Sequence, residues 1–150
     1  MAEDQVELTG VTVTFLSMPP GAPYSLIEWD AEAGSPSPPV HIHHRTDEGF
    51  YVLEGTFGFL VDADVTDAAP GTHVLAAMGR PHTFWNSGSG PARCLIVLTP
   101  PGFEAYFREL APLLANADSE EEAIEARRSL SARYDIEVVG PPVDIRSTKA

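Results

Sequence analysis

Hydrophobic and polar residues alternate in short runs along the first hundred positions, and clusters of Pro, Gly, Asn and Asp separate the runs. VTVTFLS (11–17) has a period of two, YSLIEW (24–29) follows a PPGAP turn, and GSPSPP (34–39) is too rich in proline for regular structure. FYVLEGTFGFLV (50–61) and THVLAAM (72–78) are joined by the polar stretch DADVTDAAPG, and HTFWN (82–86) and ARCLIVLT (92–99) flank an NSGSGP turn. Many short strands with tight connections predict an all-β sandwich or barrel. The alternation of strands and helices that a doubly wound sheet requires is missing.

After Pro100 and Pro101 the period changes. Phe103, Tyr106, Phe107, Leu110 and Leu114 fall at i, i+3, i+4, i+7 and i+11, the stripe of an amphipathic helix that Pro112 should end or kink. Ser119 and Glu122 have capping-box spacing and open a second helix, in which Ala123, Ala126, Leu130 and Tyr134 repeat along one face. Both stripes are expected to face a core, covering the outside of the β body or a neighbouring subunit. The final DIEVVGPPVDIRSTKA predicts one short extended segment and a frayed tail.

Composition narrows the function. A chain of 150 residues with 43% hydrophobic content suits one well-buried domain, and no apolar run approaches the roughly 18 residues that would cross a bilayer. A net charge of −13, with only nine Lys and Arg, argues against nucleic acid and against anionic lipid as partners. The acidic start MAEDQVELTG lacks the pattern of a secretory signal, and the single cysteine, Cys94, cannot form an internal disulfide. The expected location is cytoplasmic.

The chemistry concentrates in HIHHRTDEGFYVLE (41–54). In an extended strand His41 and His43 point to one face and His44 to the other. A turn between Arg45 and Asp47 would bring a Glu48 oxygen to the same place, and His82 in GRPHTFWN would join from a distant strand. The alternatives are a metal site and a polar loop that happens to be rich in histidine. Other candidates are weaker. His73 reads as structural or as an outer neighbour of the site, and Cys94 as a buried small hydrophobe. Asp62, Asp64 and Asp67 lack the glycine and closing glutamate of a calcium loop.

The two motifs resemble those of the cupin superfamily. Its first motif has two histidines one residue apart, a glutamate and a glycine, matched by His41, His43, Glu48 and Gly55, with four residues and then six between the last three. Its second is matched in register by Gly71, Gly79, His82 and Asn86, with Ala77 where proline is usual. Gly34 lies one residue too far from His41 to match the glycine common before the first motif. The surrounding sequence looks most like the quercetin-dioxygenase-like single-domain group.

The resemblance implies a small double-stranded β-helix, or jelly-roll barrel, over residues 1–100, with core motifs at 34–55 and 71–86. Residues 101–150 would form a helical extension packed on the same domain. It also implies one divalent metal ion (Fe, Mn, Ni, Cu, Co or Zn) held by His41, His43, Glu48 and His82. Strand alternation puts Phe50, Val52 and Phe84 on the ligand face, as a greasy wall that would line a substrate site. The expected protein is an enzyme acting on a small organic molecule, enolic or aromatic, by dioxygenase-like chemistry with Glu48 as a catalytic base. Non-redox isomerase, lyase or cyclase chemistry, or ligand binding without turnover, are the alternatives. A homodimer is expected, formed through edge strands or the C-terminal helices.

Overall fold

The computed structural model describes residues 4–144. In chain order the strands are β1 (Gln5–Leu8), β2 (Val11–Phe15), β3 (Ser25–Ala31), β4 (Pro39–His43), β5 (Asp47–Glu54), β6 (Phe57–Val61), β7 (Asp64–Ala68), β8 (His73–Ala76), β9 (His82–Asn86) and β10 (Ala92–Thr99). Helices α1 (Phe103–Ala115) and α2 (Glu120–Ala132) follow, and then strand β11 (Ile136–Pro142). The strands form two antiparallel sheets, in the orders β1-β2-β3-β10-β5-β8 and β11-β4-β9-β6-β7. These two facing sheets make the jelly-roll architecture that the cupin resemblance implies.

Alternation sets the faces. In β2 the residues Val11, Val13 and Phe15 are buried while Thr12 and Thr14 are partly exposed, and in β3 Ser25, Ile27, Trp29 and Ala31 are buried in the same way. Aromatic rings bridge the sheets. Phe50 of β5 lies 5.0 Å from Phe59 and 4.7 Å from Phe84, and Trp29 of β3 lies 5.0 Å from Phe84. Such tilted contacts add to the burial of the rings themselves, so the two sheets share one aromatic core. An exposed apolar face remains outside, where Tyr51, Leu75 and Val97 project from the six-stranded sheet.

Several expectations change. The polar link DADVTDAAPG contains a strand, β7, because pairing with β6 satisfies its backbone even though four of its five side chains are exposed. Pro112 neither ends nor breaks α1, which runs on to Ala115. Near the end of a helix the lost hydrogen bond is confined to the last turns. Ser119 caps α2 as predicted, accepting from Glu122 N at 3.1 Å, while the Glu122 carboxylate accepts from Asp118 N at 2.8 Å.

Residues beyond 100 contribute more than helices, since β11 returns to pair with β4 at the sheet edge. The expected frayed tail lies largely in 145–150, outside the described residues. Among the described residues no helix is long and apolar enough to cross a membrane.

Gly55 makes the β5–β6 turn. Its φ is +69°, and a Cβ there would stand 2.6 Å from the Pro91 carbonyl oxygen and 2.8 Å from Ala92 Cβ. Conformation and crowding both demand glycine. Gly55→Ala is expected to destabilise the protein by about 1–3 kcal/mol. Urea unfolding should show a lower midpoint with an unchanged slope.

Candidate metal centre

Three backbone features bring the four residues of the divided motif together. His41 and His43 sit two apart on β4, so they share a face. The antiparallel β4–β9 ladder sets His41 directly opposite His82. Residues 44–46 then carry the chain from the five-stranded to the six-stranded sheet, where Glu48, the second residue of β5, faces the histidines from the opposite wall. One nitrogen or oxygen from each of His41, His43, Glu48 and His82 lies within 4.8 Å of the others.

The neighbouring turns are held by polar contacts that the motif residues supply. Asp47 Oδ1 accepts from Met78 N at 2.7 Å, and Gly79 N donates to the His43 carbonyl at 2.9 Å. Arg80 N closes a turn onto Ala77 O at 3.1 Å, so alanine makes the bend where the family pattern has proline. Asn86 is structural. Its side-chain amide donates to Ala31 O and Gly90 O, at 3.0 and 2.8 Å, tying the end of β9 to β3 and to the next turn.

Hydrogen bonds orient the imidazoles. His41 Nδ1 lies 2.7 Å from the Pro39 carbonyl and His82 Nδ1 lies 3.0 Å from the Arg80 carbonyl. A carbonyl only accepts, so in both rings Nδ1 carries the hydrogen and Nε2 is left to face the centre. His43 Nε2 and His82 Nε2 both approach one Glu48 oxygen, Oε2, at 3.1 and 3.0 Å. Buried lone pairs so close together repel unless something positive lies among them.

The titration of the cluster shows the same demand. Burial would raise the Glu48 carboxyl, but the charge and hydrogen bonds of His43 and His82 outweigh it and hold the group well below the usual carboxylate range. Burial likewise works against a charged His82, yet the bond to Glu48 wins and raises it. His41 is pushed down to about 3, first by burial and then by His82 and His43, and is therefore neutral. A divalent ion would meet the need for positive charge at all four ligands together. Three imidazole nitrogens and one carboxylate oxygen fit a first-row divalent metal.

A cavity of about 40 Å³ adjoins the cluster, walled by Trp29, Phe84, Leu98, Phe103, Tyr106 and Phe107. Of Phe50, Val52 and Phe84, only Phe84 lines this cavity. Phe50 and Val52 share the face of Glu48 but are not among the lining residues, and both are buried in the core. Phe84, two residues beyond His82, reaches the cavity, while Phe50, two residues beyond Glu48, packs against Phe59 and Phe84.

The helical stripes hold the larger surprise. They close the mouth instead of covering the outside of the barrel: Phe103 packs edge-on against the His43 ring at 5.3 Å, and Phe107 lies 6.1 Å from Trp29. Ser25 anchors the start of α1, accepting from Gly102 N at 3.0 Å and donating to Glu104 at 3.2 Å. Tyr106 and Ser131, 3.1 Å apart and buried, join the two helices.

Arg127 of α2 also lines the cavity and was missed in the sequence. Its signal was a cation within the apolar face, four residues after Ala123 and three before Leu130. The remaining candidates lie away from the cluster. His44 is exposed and faces Glu137 at 3.0 Å, and His73 stands exposed on β8. Cys94 is buried, with its thiol pushed up by that burial. Asp62 pairs with Arg80 at 2.9 Å beside the β6–β7 turn.

Comparison with known proteins agrees with this geometry. The family model for the cupin domain matches residues 27–98. No curated protein sequence matches the chain. Among solved structures, a protein from Thermus thermophilus is 26% identical, with a TM-score of 0.53, over 60% of this chain and 85% of its own. A sugar phosphate isomerase of the cupin superfamily from Silicibacter pomeroyi is also 26% identical, with a TM-score of 0.54, over 61% of this chain and 60% of its own. A predicted oxalate decarboxylase from Thermotoga maritima shares the fold at 20% identity and a TM-score of 0.55, over 60% of this chain and 80% of its own. The segment that matches the cupin-domain model contains all four residues of the divided His/Glu cluster, and the fold around it is similar to that of these solved structures.

Proposed function

We propose that this protein is a mononuclear metal-dependent enzyme acting on a small organic molecule with an enolic or aromatic group, by dioxygenase-like chemistry. The observation that supports this reading most directly is the convergence of His41, His43, Glu48 and His82 beside a mostly apolar cavity. A redox-active divalent ion at this cluster would supply Lewis acidity and electron exchange with dioxygen. The protein's own residues do the rest.

His41 and His82, locked by the Pro39 and Arg80 carbonyls, keep the ligand geometry fixed without reorganisation. Glu48, on partial release from the His43 and His82 contacts that depress it, accepts the proton of the substrate hydroxyl, so that the substrate reacts as its anion. Phe84, Leu98 and Phe103 exclude water from that anion, and the Tyr106–Ser131 contact holds the two helices together. The fold shared with a protein described as an isomerase makes non-redox isomerisation, elimination or cyclisation the second reading, with the same proton transfer to Glu48.

Anaerobically purified protein is expected to hold one equivalent of iron, manganese, nickel, copper or cobalt by elemental analysis. It should take up oxygen with at least one member of a panel of flavonols, catechols and 1,3-diketones. Zinc at one equivalent with no uptake would select the non-redox reading, and no retained metal would reject both. His82→Ala should weaken metal affinity by more than about 10–100-fold, the range produced by losing only an outer partner of a ligand. Glu48→Ala, reloaded to a full equivalent, should turn over about 100–10,000-fold more slowly. Unchanged turnover in that loaded variant would remove Glu48 from the proton-transfer role.

A further inference from the structure

Arg127 stands apart from the other described arginines. Arg45, Arg80, Arg93, Arg128 and Arg133 each pair with a carboxylate, and Arg108 lies over the Phe15 ring at 4.5 Å. Arg127 makes no hydrogen bond or ion pair with any described residue, in a chain that carries 22 Asp and Glu. Nor is it a solvated surface residue. It is partly buried on α2 and lines both the 40 Å³ cavity at the cluster and an adjoining groove of about 540 Å³.

Only Trp29, Pro38 and Pro39 share that double position, so among the described residues Arg127 is the one charged group common to the two spaces. A guanidinium drawn partly out of water, with no partner among the described residues, is a ready hydrogen-bond donor to an anion.

The sizes of the two spaces divide the work between them. The inner cavity has room for a few water-sized groups, while the groove falls within the range of small-molecule sites. Leu8, Val11, Leu114 and Ile124 give the groove apolar walls. Glu120 also lines it, which disfavours a second negative charge on the occupant.

We propose that Arg127 recognises the carboxylate of a small monoanionic substrate whose apolar body lies in the groove, with its reacting end turned toward His41, His43, Glu48 and His82. The placement of the reacting end rests on the catalytic reading given above; the recognition of the carboxylate rests on Arg127 alone. Arg127 is a specificity residue here, and no step of the reaction passes through it.

Matched pairs test the proposal: acetate and acetamide, benzoate and benzamide, phenylacetate and phenylacetamide, with inorganic phosphate as a further probe. Binding is measured by calorimetry, and by tryptophan emission, in chelator-treated and in metal-loaded protein. Wild-type protein should bind at least one carboxylate about tenfold or more tightly than its amide, in the metal-free form as well. Arg127→Gln should abolish that preference while amide affinity, metal content and the unfolding midpoint stay unchanged, and Arg127→Lys should restore part of it.

Equal binding of every carboxylate and its amide by wild-type protein would overturn the proposal, as would the same preference in Arg127→Gln. Phosphate bound more tightly than every carboxylate would overturn the monoanion assignment. Protein that never retains metal would sink the catalytic reading, yet the comparison in chelator-treated protein would still judge Arg127. The two failures are therefore separable.

Discussion

The approach of two imidazoles to one oxygen of Glu48 is the interaction on which the rest of the site depends. His43 and His82 belong to the five-stranded sheet and Glu48 to the six-stranded one, so the contact ties the two walls together at the barrel mouth. It is also electrostatically incomplete. Three buried acceptor or lone-pair groups need a positive charge among them, and the protein alone can supply only a proton. The fold therefore presents its ligands already gathered, and the energy that gathers them comes from sheet packing around Phe50, Phe59 and Phe84.

That arrangement separates stability from chemistry along one strand. At its start β5 carries Glu48 into the cluster, while Phe50 and Val52 belong to the core. The same division holds on β9, where His82 is a candidate ligand, Phe84 walls the cavity and Asn86 locks the turn beyond it. A ligand can therefore be held rigidly by neighbours two residues away that never meet the substrate.

The helices complete the site from above. Phe103 packs on a candidate ligand ring, and Tyr106 and Ser131 bind the two helices to each other, so the lid is continuous with the His/Glu cluster. β11 then re-enters the sheet beside β4, with Ile136 opposite His43 and Val138 opposite His41. The C-terminal third thus frames the strand that carries two of the four ligands, and it brings Arg127 to the cavity wall.

Much of this was legible in the order of residues. Period-two alternation marks a strand, the i, i+3, i+4 stripe marks a helix, and the spacing of His41, His43, Glu48 and His82 marks a divided site, because these are local consequences of backbone geometry. The polar strand β7 escaped notice because its pairing is decided by its partner, β6, and not by its own side chains. Sequence alternation could place Phe50 on the face of Glu48 but could not show that it packs against Phe59 and Phe84 instead of lining the cavity. Nor could a helical stripe say which surface it covers. That α1 and α2 close over the cluster, and bring Arg127 to it, was decided only by tertiary packing, since contacts between residues so far apart in the chain leave no period to read.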